Sequence, residues 1–161
     1  MITTTSEIRV ETFPKRFLAC VQNVGTYKGD TALFQRLFTK VKDWAEPKGL
    51  LENTTLETIT IYHDDSGVVP EEEQTISVGF TVPEGTQVEG DIKLLEIPKG
   101  NYLVGTFEIL STEYGDAWNK MMDFVEKGNI KSLGDTMYES YKNDPRTHPE
   151  GKHIVDICMA V

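Results

Sequence analysis

Cysteine is scarce, with two in 161 residues, Cys20 and Cys158. Neither belongs to a CxxC pair or stands at a Cys/His spacing, so no zinc site is expected. Each lies in an apolar, strand-like run and reads as a buried free thiol. Long apolar runs are missing as well. Nothing approaches the roughly 20 apolar residues of a membrane span. The N-terminal MITTTSEIRV has neither the basic region nor the apolar core of a secretory leader. The expectation is a cytoplasmic chain with no membrane partner. Positive charge is in deficit, 16 Lys and Arg against 26 Asp and Glu, for a net charge of −10. Phosphate recognition needs a basic face, so no direct nucleic-acid binding is expected. The same charge keeps a protein soluble and attracts cations over a distance. Only three histidines are present, His63, His148 and His153, in no Ser-His-Asp or Cys-His order. The acids Asp64, Asp65, Glu71, Glu72 and Glu73 lack the glycine-punctuated spacing of a calcium loop. GTYKGD lacks the ending of a phosphate-cradling loop. Neither metal nor cofactor is expected.

What the sequence does contain is an internal repeat. YHDD at 62–65 and YKND at 141–144 stand 79 residues apart, and Pro70/Pro149, Val78/Ile157 and Val82/Val161 keep that offset. Upstream, ETFPKRFLACV (11–21) resembles LEIPKGNYLVG (95–105), with Pro14 and Pro98 84 residues apart. A single domain over 1–161 is expected, with repeat halves at about 8–83 and 92–161 joined by PEGTQVEGD (83–91). Each half reads strand, helix, strand, strand. The first strand is Phe17–Val24. Asp30 or Thr31 can cap the helix, whose buried face is Leu33, Phe34, Leu37, Phe38, Val41 and Trp44. Thr58–His63 and Thr75–Val82 follow across the acidic loop DDSGVVPEEEQ. The second half gives Tyr102–Ile109, a helix with Ala117, Trp118, Met121, Met122 and Val125 inward and Gly128 at its end, then Met137–Tyr141 and His153–Met159. The fold class is α+β: tandem antiparallel sheets with helices on one face.

Alternation in a strand puts i and i+2 on one face. Ile76, Val78, Phe80 and Val82 share one side, as do Val155, Ile157, Met159 and Val161. The other sides carry small residues, Ser77, Gly79, Thr81 and Asp156, Cys158, Ala160. Two arrangements fit: sheets packed back to back, or two halves whose small-residue faces form the concave floor of a ligand cleft. With Ile59 and Ile61 toward the helix, Thr60, Tyr62, Glu139 and Tyr141 are expected to face the small-residue side. There Glu139 is either a solvated surface acid or the countercharge of a site for a lipophilic cation, with ring faces adding cation–π attraction.

The motifs NVGTY (23–27), DWAEPKGL (43–50), YHDDSGVVPEE (62–72), IPKGNYLV (97–104), AWNKMMDFV (117–125) and YESYKNDP (138–145) occur in this order. Together, over about residues 8–161, the chain resembles the gyrase-inhibitor-like family of small-molecule-binding domains. It also resembles the effector-binding domain attached to some multidrug-sensing transcription regulators. The resemblance implies a duplicated strand–helix–strand–strand unit, pseudo-twofold symmetry and a ligand groove between the halves. It implies that Glu139 pairs with cationic lipophilic ligands in that groove, lined by Tyr27, Tyr62, Tyr102, Trp118 and Tyr141. Trp118 is equally readable as core. Regulators of this kind carry a helix-turn-helix domain. Only about eight residues precede the first strand here, so the chain alone is not expected to be a complete regulator.

Three functions follow from this resemblance. The first is a stand-alone module that binds lipophilic cations in sensing or sequestration. The second is a hydrolase of electrophilic small molecules, with Glu139 as acid/base and Tyr141 or Tyr102 assisting. The third is a protein partner, either a regulator or a topoisomerase that the acidic surface inhibits.

Overall fold

The structure, a computed structural model, describes residues 3–4, 8–64, 68–133 and 136–161. Part of the acidic loop, Asp65 included, lies outside the described residues. The elements run β1 (Thr3–Thr4), β2 (Arg9–Phe13), β3 (Arg16–Val24), α1 (Thr31–Ala45), β4 (Thr58–Tyr62), β5 (Thr75–Val82), β6 (Lys93–Ile97), β7 (Gly100–Ile109), α2 (Tyr114–Lys127), β8 (Met137–Tyr141) and β9 (His153–Ala160). They form two compact units, Lys15–Pro98 and Met1–Pro14 with Lys99–Val161. Among the described residues no helix is long and apolar enough to cross a membrane.

In the Lys15–Pro98 unit the strands are all antiparallel, in the order β4, β5, β3, β6. The helix begins where its cap predicts, with the Asp30 carboxylate accepting from the Leu33 N–H at 3.0 Å. This satisfies one of the amides a helix start leaves without a partner. The helix runs into a 3-10 turn at Glu46–Lys48 and stops at Gly49, whose φ of 70° suits glycine. Its apolar stripe packs on one sheet face: Val41 is fully buried with Ala19 and Val21, and Leu37, Trp44, Phe17 and Phe80 close round them.

In the other unit β8, β9 and β7 are antiparallel neighbours, and the free edge of β7 takes β2 and β1. Helix α2 lays Ala117 and Met121 on Leu103, Phe107, Ile109, Val155, Ile157 and Met159. Gly105 makes room for this contact. A Cβ there would stand 2.6 Å from the Met121 sulfur.

Both units follow the expected order strand, helix, strand, strand. Their corresponding turns also share a hydrogen bond. Asp64 accepts from the Thr75 N–H, and Asn143, 79 residues on, accepts from the N–H of Ile154. The chain also holds strands that the sequence reading omitted. β2 precedes β3 but pairs with β7, whereas β6 precedes β7 but pairs with β3. Each exchange occurs at a proline, Pro14 or Pro98, where the missing N–H interrupts a ladder and the chain can change direction.

The strand faces need correction. Thr60 pairs with Val78 and Tyr62 with Ile76, and Glu139 pairs with Ile157 and Tyr141 with Val155. Directly paired residues share a face. Thr60, Tyr62, Glu139 and Tyr141 therefore face the helices, and Ile59, Ile61, Tyr138 and Ser140 point the other way. The small residues do not form a bare floor. Leu18, Ile59, Ile61, Tyr102, Val104 and Tyr138 stand among them, and all are buried. Alternation misassigns the faces because these sheets are buried on both sides.

Candidate functional site

Glu139 lies in the middle of β8 and is 2 % exposed. A carboxylate so deep must be hydrogen-bonded, and both of its oxygens are. Oε2 accepts from the Trp118 indole Nε1–H at 2.6 Å, and Oε1 accepts from the Tyr141 hydroxyl at 2.7 Å. The fold explains this convergence. Tyr141 is two residues beyond Glu139, on the same strand face. Trp118 projects from α2, which rests on that face. The lengths are those of charge-assisted bonds, about twice as strong as neutral ones.

A second polar pair flanks this cluster. Tyr114 opens α2 one turn before Trp118, and residues four apart on a helix are neighbours. The Tyr114 hydroxyl meets His153 Nδ1 at 2.7 Å, with the rings edge-on at 5.5 Å. Burial pushes the Tyr114 hydroxyl well above the ordinary phenol range, and the Glu139 charge pushes it further. Burial holds His153 below the usual imidazole range. The sequence reading missed both residues. A signal was present: Tyr114 sits four before Trp118, and His153 opens β9 two residues before Val155, the partner of Tyr141.

The structure thus gathers Glu139, Tyr141 and Trp118, with Trp118 a hydrogen-bond donor and not only core. It does not bring Tyr102 to them. Tyr102 lies on the opposite face of its sheet, 1 % exposed, its ring against Tyr138 at 5.8 Å and Phe13 at 5.6 Å. Tyr27 and Tyr62 belong to the other unit, where their rings meet at 5.6 Å and Phe34 stands edge-on to Tyr27. A shallow cleft of about 370 Å³ in that unit is lined by Val21, Leu37, Lys40, Asp91 and Lys93. It includes none of the expected site residues. No three His, Cys, Asp or Glu among the described residues cluster as a metal site would need.

The model of a family described as the GyrI-like small molecule binding domain matches residues 6–161. No protein with a curated description is significantly similar. Among solved structures, the EcmrR C-terminal domain superposes with a TM-score of 0.78 at 15% identity, covering 96% of each chain. EcmrR is also solved in complex with DNA, where this chain spans 56% of its length, at a TM-score of 0.79 and 16% identity over 95% of this chain. SAV2435 bound to tetraphenylphosphonium gives 0.62 at 8% identity, over 96% of this chain and 93% of that one. A hydrolase from Listeria innocua gives 0.62 at 11% identity, over 98% and 92%. At these identities the likeness is one of fold: an antiparallel α/β arrangement with two helices.

Proposed function

We propose, from the premise that this chain belongs to the GyrI-like small-molecule-binding domain family, that it binds lipophilic cations with Glu139 as their countercharge. The observation that carries this is the buried carboxylate held by two aromatic donors. A fixed negative charge between an indole and a phenol offers a cation Coulomb attraction in a low-dielectric setting and ring faces for cation–π contact. Trp118 and Tyr141 hold the carboxylate in place. Tetraphenylphosphonium, the ligand of SAV2435, is the natural probe. Sensing or sequestering such compounds is the corresponding role, and the resemblance to EcmrR favours sensing beside a DNA-binding partner.

Glu139→Gln tests this reading. The amide can still accept from Trp118 and donate to the Tyr141 oxygen, so the fold survives. We expect about thirty-fold weaker tetraphenylphosphonium binding, equivalent to about 2 kcal/mol, read by quenching of tryptophan fluorescence. Equal affinity in the folded variant removes the countercharge role.

One observation favours a second reading. The Tyr141 hydroxyl donates to Glu139 at 2.7 Å, which sets a carboxylate that could act as acid or base beside a phenol that could assist it. There the carboxylate would take a proton from water as the water attacks an electrophilic substrate. Multiple turnovers of an electrophilic compound by wild type and none by Glu139→Gln, followed by mass spectrometry, would establish the hydrolase.

A further inference from the structure

Resting on the cation-binding reading of Glu139, we propose that His153 is a positioning residue. Acting through Tyr114, it weakens cation binding as the pH falls through the titration of its imidazole. Two residues of one helix face carry the link. Trp118 holds the Glu139 carboxylate, and Tyr114, one turn earlier, holds the His153 imidazole. On the sheet beneath, His153, Val155 and Ile157 line one face of β9, and Val155 and Ile157 pair with Tyr141 and Glu139. Imidazole and carboxylate therefore lie on one surface under the same two turns of α2.

The proton positions follow from the chemistry. A buried phenol next to a carboxylate keeps its proton, and when the neutral imidazole carries its own proton on Nε2 the Tyr114 O–H donates to the Nδ1 lone pair. Protonation of His153 reverses this bond. Nδ1–H then donates to the phenolic oxygen, the phenol proton turns away, and a positive charge appears on the sheet face that carries Glu139, four residues along β9 from its partner Ile157. Burial shifts this protonation to lower pH than that of an ordinary imidazole.

Glu113 lies at the start of α2. On the same sheet face, Tyr141 and Glu139 of β8 pair with Val155 and Ile157, two and four residues along β9 from His153. On β7 its partner, Ile109, is apolar. Lys152 precedes it and is held by Glu150. The pairs Lys142–Asp156 and His148–Glu108 belong to neighbouring positions on the opposite face of β9 or β7.

The test is titration with tetraphenylphosphonium, whose charge is independent of pH, from pH 8 to pH 5. Wild type is expected to lose about tenfold in affinity, and His153→Gln to keep its pH 8 affinity throughout. A loss carried by the carboxylate itself would persist in His153→Gln, and an identical loss in both proteins overturns the inference. If His153→Gln does not fold, ring-proton NMR of wild type decides, with the three histidines assigned from single Gln variants. Linkage is reciprocal, so saturating cation should lower the His153 midpoint by about one pH unit. An unmoved midpoint overturns the inference. Wild-type binding that depends on Glu139 but not on pH overturns only the role of His153. No binding at pH 8 overturns the cation reading, and this inference with it.

Discussion

Tyr141→Phe removes one oxygen atom and leaves the ring in place against the α2 cluster. That oxygen carries the 2.7 Å bond to Glu139 Oε1, and the carboxylate it serves is 2 % exposed. Water does not readily replace the lost donor at that depth. A hydrogen bond to a charged group contributes about 1.5–3 kcal/mol, and loss of about 2 kcal/mol lowers the melting midpoint of a chain of this size by about 4–8 °C. Urea and thermal unfolding followed by circular dichroism would measure it. A double-mutant cycle makes the test specific. In a Glu139→Gln background the bond is neutral, and Tyr141→Phe should cost about 1 kcal/mol less. A single-mutant cost below about 0.5 kcal/mol, or the same cost in both backgrounds, would refute the claim that the phenol anchors a buried carboxylate.

Two further outcomes follow from packing and burial. A Cβ on Gly79 would fall 1.9 Å from the Ala19 carbonyl oxygen, where backbone must move, whereas on Gly105 it meets the ends of the Met121 and Phe107 side chains. Gly79→Ala should therefore cost about 3 kcal/mol and Gly105→Ala about 1 kcal/mol, and equal midpoints for the two variants would contradict this. The Cys20 thiol is pushed up to about 11, chiefly by burial, and at pH 8 only about one thiol in a thousand is thiolate. Iodoacetamide should label Cys20 in urea and leave it untouched in the native protein. Rapid native labelling would show that β3 opens.

The repeated offset and the helical periods were enough to define β5, β8 and α1, since Asp30 and Gly49 bracket an amphipathic stretch with local signals. β2 and β6 were hidden because each is five residues beside a proline, and their partners lie far along the chain. Glu139 was found, but on the wrong side of its strand. The larger residues of β4, Ile59 and Ile61, point away from the helix, and with both sheet faces buried residue size does not tell the faces apart. Tyr114 and His153 come together across 39 positions. Tyr114 reaches His153 only through the packing of α2 on the sheet, and the spacing of Tyr114 from Trp118 hints at that contact without naming its partner.

The unit that holds Glu139 is assembled from two stretches, Met1–Pro14 and Lys99–Val161. During synthesis β2 leaves the ribosome well ahead of β7, the strand whose edge it completes. All of Lys15–Pro98 can mature in the interval. β2 must therefore wait for its partner, and a nascent chain halted before residue 109 would hold Lys15–Pro98 and neither Trp118 nor Glu139.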